Sequence, residues 1–401
     1  MITTIIALLI LGVGPQQARF DDVVRNLRNP DPNARMNALR MLAESKYVEA
    51  ILPIAPLVND PVDAIQLEAI GTELSLYLVE EVRSRKRVAL IVETRSGTYA
   101  ESAFHAGPLA TWPRPVPPEL TTALVKAIDD ENPKVRFEAI YALGSIAQPP
   151  LSDDAAQGLV KALDHYDPAI RAAAARVIGR LQVESAATAL MTAVNDSQPP
   201  VRFAAMRALG EIRHKNAVEA LAAQLEHYRK GEGAWSALDA LAKIADPAAV
   251  PLFKTRLGDR DHFIRRAATE GLGRVGDTSE LTTLVTTADR DTSGAVRAAA
   301  AFAVYKLGRD YAARLVALLG DDKLVAQVAD YLIELGPAVT PALEKGLQDS
   351  SEAVRGNSAL ILGLVGTKEH LPALQALAQD RSKDVRTAAE RSIERIKLRG
   401  A

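Results

Sequence analysis

The sequence predicts an all-α, right-handed solenoid of about ten to eleven helical pairs, and three observations carry that prediction. One stretch recurs at a nearly fixed interval, a shorter apolar stretch follows each copy, and the composition suits helices stacked on helices. At 48% hydrophobic but only 4% aromatic residues, the chain reads as an Ala- and Leu-rich stack rather than a sandwich or barrel.

The recurring stretch is clearest from Val201 to Ile212. Counting from Arg202, Ala205 falls at plus three, Leu209 at plus seven and Ile212 at plus ten, which is one apolar stripe of a 3.6-residue helix. Gly210, at plus eight, lets a neighbour approach closely. The spacing returns with Arg136, Ala139, Leu143 and Gly144; with Arg171, Ala174, Ile178 and Gly179; with Arg265, Ala268, Leu272 and Gly273; and with Arg355, Leu362 and Gly363, where Ser358 replaces the alanine. Looser copies start at Arg35, Arg297 and Arg386. Successive arginines from 136 onward are 35, 31, 63, 32, 58 and 31 residues apart, and the two long intervals hold two units each. Shorter apolar helices follow at Ala217 to Leu225, Thr278 to Thr287 and Leu371 to Ala378. A pair this small cannot bury its own faces, so neighbours must stack into a continuous core with, on this reading, the shorter helices on the concave side.

Six positions before the arginine stands an aspartate: Asp130 before Arg136, Asp196 before Arg202, Asp259 before Arg265, Asp291 before Arg297, Asp349 before Arg355 and Asp380 before Arg386. A carboxylate ahead of a helix can cap free N–H groups, and a guanidinium there can reach an adjacent loop or carboxylate. These twelve residues therefore read as a structural ladder along the stack. With this element the pattern resembles the HEAT repeats, specifically the phycobilisome-lyase-type (PBS lyase) HEAT-like repeats: Asp, a five-residue gap, then Arg-x-x-Ala-x-x-Ala-Leu-Gly. The resemblance implies an armadillo-like helical superhelix and says little about function, because that architecture serves scaffolds, adaptors and a few enzymes.

The N-terminal run Ile5 to Leu11, followed by Gly12, Gly14 and Pro15, has the length of a signal-peptide h-region and is too short to span a bilayer. Against a signal stand the lack of Lys or Arg before the run and of a clean cleavage site, although Ala18 offers one. An uncleaved anchor and a buried helix capping the stack are the alternatives. If residues 1–18 are a signal peptide the chain is exported or periplasmic; otherwise it is cytoplasmic. Residues 19–401 form the repeat array, one domain because such a core grows in one dimension. Asp21 to Leu27 reads as a lone short helix, and Asp31 to Ala43 as the first long one. The second long helix, around Val62 to Glu81, has Gln66 where the arginine belongs.

Residues 83–118 interrupt that second repeat. They hold a basic run (Arg83, Arg85, Lys86, Arg87), a β-like run from Val88 to Val92, a turn at Ser96-Gly97, and a stretch with Trp112 and Pro108, Pro113, Pro115, Pro117 and Pro118. The expectation is an inserted hairpin with an extended arm, carrying specificity or merely decorating its repeat. Deleting residues 88–117 is expected to leave the melting point nearly unchanged. Beyond Asp129 the array is regular except at Tyr228 to Ile244 and Asp321 to Gly336, and the last helix, Asp384 to Leu398, is polar on one side as a terminal cap would be.

Composition narrows the chemistry. A formal net charge of -2 argues against a dedicated nucleic-acid binder, and the absence of cysteine removes disulfides, thiolate metal sites and cysteine nucleophiles. No His-Glu dipeptide matches the paired motifs of the iron-dependent deoxyhypusine hydroxylases that share this repeat type. Asp164-His165, Glu226-His227 and Asp261-His262 reverse the order on loops entering long helices, where capping acids beside surface histidines explain them. No catalytic, cofactor or metal residue is assigned. Tyr166, Tyr228, Arg229 and Phe263 gather on those same loops, and with Trp112 they form the candidate partner-binding set, since aromatics and arginine dominate interface energetics. The leading function is a non-catalytic protein-binding scaffold or adaptor whose partner is another protein, with no nucleic acid, no cofactor, and no membrane span beyond the N-terminal segment. The alternative that the resemblance implies is a phycobilin-lyase-like enzyme, or a chaperone-like subunit acting on a chromophore-bearing protein.

Overall fold

The computed structural model describes residues 15–79 and 98–399. The apolar run Ile5 to Leu11, the basic run Arg83 to Arg87, the run Val88 to Val92 and the turn at Ser96-Gly97 lie outside the described residues. Within them every extended element is a helix, and none is long and apolar enough to cross a membrane.

The chain divides into two compact units, 1–110 with 116–146, and 111–115 with 147–401. In the first, Pro15–Asn26 precedes the long helices Pro32–Ser45, Asp63–Tyr77 and Pro133–Ile146, with the shorter Pro118–Ala127 between the last two. Long helices of the second are Pro168–Arg180, Pro199–Glu211, Gly231–Ile244, His262–Val275, Gly294–Lys306, Val325–Leu335, Glu352–Val365 and Lys383–Arg399, with shorter helices between them. The predicted helical alternation is therefore present in both units.

Local chemistry sets where the long helices start. Proline occupies the first helical position at Pro32, Pro133, Pro168 and Pro199, where its missing N–H costs nothing. Asp31, Asp167 and Asp261 cap their helices by accepting from the N–H two residues on, at 2.8 to 2.9 Å. The ladder aspartates act one step earlier: Asp196, Asp259, Asp291 and Asp380 each accept from the N–H two residues on, at 2.8 Å, and so fold the loop rather than cap the helix.

Glycine and alanine decide the packing of the second unit. A Cβ on Gly179 would lie 2.9 Å from the Cα of Ala208; on Gly210, 2.7 Å from that of Ala240; on Gly273, 2.5 Å from that of Ala303. These contacts join successive long helices backbone to backbone. Consequently the long helices line the inner side of this unit's curve, and the expectation that the shorter helices would do so is corrected: the side with the smallest residues closes up most.

Part of the interruption is itself structured. Thr98 caps helix Tyr99–Ala106, Phe104 and Ala100 are buried, and the Ala100 N–H donates to Glu138 at 3.1 Å. A deletion of residues 88–117 therefore removes buried contacts, and the expected neutrality of that deletion does not hold.

Two glycine substitutions should separate close packing from conformational freedom. Gly273→Ala should destabilise by about 1–3 kcal/mol, because its methyl meets backbone. Gly71→Ala, mid-helix with nothing within 4 Å of the new Cβ, should stabilise by about 0.5–1 kcal/mol. Urea midpoints of the two variants against the parent check both signs.

Candidate functional site

The ladder arginines bind forward and backward at once. Arg171 donates through Nε and Nη2 to both carboxylate oxygens of Asp196, each at 2.8 Å, while its Nη1 reaches the carbonyls of His165 and Tyr166 behind it. Arg265 treats Asp291 the same way, Arg355 takes Asp380, and Arg35 takes Asp60. Each fork thus falls on the aspartate of the following repeat. Gln66 donates to Asp130 at 2.8 Å, so a glutamine spans one rung where arginine is missing. Arg136, Arg297 and Arg386 donate to the carbonyls of Asp130, Asp291 and Asp380. Asp349 accepts from the Ser351 N–H.

Arg202 departs from the pattern. Its Nε donates to the Tyr228 hydroxyl at 2.5 Å and its Nη1 to the carbonyl of Asp196, so a hydroxyl stands where the other forks meet a carboxylate. Tyr228 stands 26 residues on, where the next aspartate would be, with its ring against Gly233 and edge-on to Phe203 at 5.4 Å. It is thereby committed to the ladder. Of the other loop residues, Tyr166 is 77% exposed beside His165, and Phe263 is 38% exposed with its ring 5.6 Å from Trp235. Arg229 is exposed, with its backbone in the left-handed region at φ 58°. Trp112 lies under the Arg391 guanidinium at 5.8 Å. The structure joins Phe263 to Trp235 and Tyr228 to Arg202, and does not gather the five candidates into one site.

A second register, one, five and nine residues after the ladder arginine, was not read from the sequence although its spacing was there to find. It holds Phe203, Arg207 and Glu211; Trp235, Asp239 and Lys243; Arg266, Glu270 and Arg274; and Phe302. These residues build a polar hub on the inner side of the second unit. Lys243 bridges Glu211 at 2.6 Å and Asp239 at 3.1 Å. Arg274 forks onto Glu334, 60 residues away, at 2.9 to 3.1 Å and also holds Glu270 at 3.0 Å. Tyr331 donates to Glu270 and stacks on Phe302 with ring centres 4.5 Å apart, while the Arg207 and Arg266 guanidinium groups cover Trp235 at 5.3 and 5.7 Å.

Burial governs the protons of this hub. Asp239 and Glu270 are 4% and 3% exposed. Burial works against the Asp239 carboxylate, but Lys243 and Arg266 outweigh it and hold the carboxyl below its usual range. For Lys243 burial is likewise outweighed, by Asp239 and Glu211, and the ammonium is held above its usual range. Burial and then Glu270 push the Tyr331 hydroxyl well up, so it remains a donor. Lys243, Arg266 and Arg274 each meet a carboxylate of the hub, and the Arg274–Glu334 pair links non-adjacent repeats. In the first unit Glu73 is a buried acid with no hydrogen-bond partner among the described residues, and burial pushes its carboxyl well above the usual carboxylate range. Among the described residues no group of three or more His, Asp or Glu gathers as metal ligands would.

Models of HEAT repeats match residues 156–232, 219–304 and 309–397, a further HEAT repeat model matches 120–148, and the PBS lyase HEAT-like repeat matches 135–165. The chain belongs to the HEAT-repeat family. No curated protein matches this HEAT chain at a significant level. Among solved structures, an engineered protein is 20% identical, with 94% of this chain and 98% of that one covered and a TM-score of 0.43. The complex of CpcE and CpcF of phycocyanin lyase from Nostoc sp. PCC7120 is 18% identical over 69% of this chain and 94% of that one, with a TM-score of 0.38. Human deoxyhypusine hydroxylase in complex with glycerol is 19% identical over 69% and 96%, at 0.27. At these scores the likenesses carry no argument about what this chain binds or does.

The two kinds of HEAT rung should differ in thermal denaturation. Arg265→Ala leaves Asp291 without its fork and should cost about 1–3 kcal/mol, whereas Arg202→Ala, which frees only a tyrosine hydroxyl and carbonyls, should cost clearly less.

Acid should dismantle the ladder in a defined window. The Arg355 fork, and then the Ser382 N–H, hold the Asp380 carboxyl below its usual range. A lowered folded value means that this contribution is complete above about pH 4 and is lost as pH falls through the folded value. Melting temperatures between pH 2 and 6 should fall less steeply on the acid side for Asp380→Asn than for the parent.

Proposed function

We propose that the chain is a non-catalytic scaffold or adaptor that takes hold of another protein through the inner face of its long helices. The observation that supports this most is an extended segment already held there. Arg391 and Arg395 lie five and nine residues after Arg386, in the same register as the hub, and both donate through Nη2 to the carbonyl of Thr111, at 3.2 and 3.3 Å. Trp112 presents its ring to Arg391. A backbone carbonyl and an aromatic face are features that any extended protein segment can offer, and arginine with tryptophan is the pairing on which interface energy concentrates. The ladder and hub contribute rigidity, so partner and scaffold meet without reorganising the array.

The test compares affinity capture from the native host using the parent and the double variant Arg391→Gln/Arg395→Gln. Captured protein should drop out for the variant while its circular dichroism remains helical. Undiminished capture by a helical variant would refute this assignment of the face. A bilin-dependent absorbance change on mixing with a chromophore-bearing protein would instead favour the lyase class.

A further inference from the structure

One cleft in the second unit is lined by polar and charged groups that neither the ladder nor the hub uses. It has a volume of about 630 Å³ and lies at the turns that follow helices Pro168–Arg180 and Pro199–Glu211, at the opposite end of those helices from the ladder loops. Gln182, Glu184, Arg213, His214 and Lys215 line it, and among the described residues their side chains make no hydrogen bond or ion pair. Glu211, on the same wall, is held by Lys243 at 2.6 Å. The same turn one and two repeats on is closed by an aspartate: Asp246 accepts from the Ala248 N–H at 2.9 Å and Asp277 from the Ser279 N–H at 2.8 Å. His214 takes that position here and its side chain caps nothing. Backbone conformation is a second observation. Each of these turns puts one residue in the left-handed region, and glycine holds the place at Gly276 and Gly308. Gln182 and Arg213 hold it at φ 52° instead, a conformation that is costly for any residue with a side chain. Lys46 and Ala245 do the same, but Lys46 gives its ammonium to the Ser75 carbonyl and Ala245 has only a methyl. Gln182 and Arg213 instead bring two polar side chains from neighbouring repeats to one cleft.

We propose that this cleft binds an acidic segment of a partner protein, with a carboxylate taken by the Arg213 guanidinium and the Lys215 ammonium and a backbone N–H turned to Glu184. The planar guanidinium suits a carboxylate in two-point contact, and the His214 ring supplies a further N–H. Glu184 selects among anions: it repels a chain of phosphates but accepts the N–H groups that accompany a carboxylate on a polypeptide. The volume falls within the range of ordinary ligand sites, so a short segment fills it. This inference goes beyond the scaffold reading, because the site uses neither Arg391 nor Arg395.

The experiment uses the full chain and two labelled peptides, acetyl-Gly-Ser-Glu-Asp-Ser-Gly-amide and the same peptide with Gln-Asn in place of Glu-Asp. Fluorescence anisotropy is read with the parent, with Arg213→Gly and with Lys215→Gln. The acidic peptide should bind the parent about tenfold or more tightly than the neutral one. Arg213→Gly should lose that preference while its urea midpoint rises, because glycine suits the left-handed turn better than arginine does. Function and stability then move in opposite directions, which a merely structural arginine would not produce. Lys215→Gln should weaken the acidic peptide with the midpoint unmoved. Equal affinity for the two peptides, full affinity in Arg213→Gly, or a loss of affinity accompanied by a lower midpoint would each overturn the proposal. Tighter binding of a single-stranded oligonucleotide than of the acidic peptide would overturn it in favour of phosphates. The Arg391→Gln/Arg395→Gln variant should bind the acidic peptide as the parent does, so this site and the inner-face assignment stand or fall separately.

Discussion

The array depends on a guanidinium that bonds in two directions. In Arg171, Arg265 and Arg355 one edge closes on the aspartate of the following repeat while Nη1 holds the carbonyls of the loop behind. The aspartate in turn folds its own loop through the N–H two residues on. Three repeating features of the sequence thus meet in one bonded unit, and the planar fork fixes both distance and angle between neighbours. Lysine could supply the charge but not that geometry.

Rungs of this kind tolerate replacement when the bond survives. Gln66 reaches Asp130 with an amide, and Tyr228 receives Arg202 with a hydroxyl. Both stand where the sequence pattern is weakest. Each substitute gives up charge but preserves a polar contact at the same step of the stack, so the array continues through copies that look divergent on paper.

Above the ladder, the hub works over longer reach. Arg274 and Glu334 are 60 residues apart and share a fork, while burial pushes the Asp330 carboxyl up and Lys243 draws it down from a more distant repeat. Such contacts exist because Gly179, Gly210 and Gly273 let the long helices close up on the inner side. Ion pairs buried to this degree are costly unless fully matched. Here the matching is extensive, which ties non-adjacent repeats into one body within the second unit.

The sequence by itself determined the helical class, the repeat length, the ladder residues and the family, because periodicity and recurring polar positions follow from a local 3.6-residue geometry. It also contained the second register, with Asp239, Glu270 and Arg274, which the apolar stripe alone does not single out. Tertiary structure decided what no local rule encodes: that Arg35, Arg171, Arg265 and Arg355 bond to the next repeat's aspartate, that Tyr228 is spent inside the ladder while Tyr166 faces solvent, and that Trp112 meets Arg391 across 279 positions of sequence. The physical reason is that spacing along a helix fixes which face a side chain occupies, whereas its partner is fixed by how closely neighbouring helices approach, and that is set by the small residues between them.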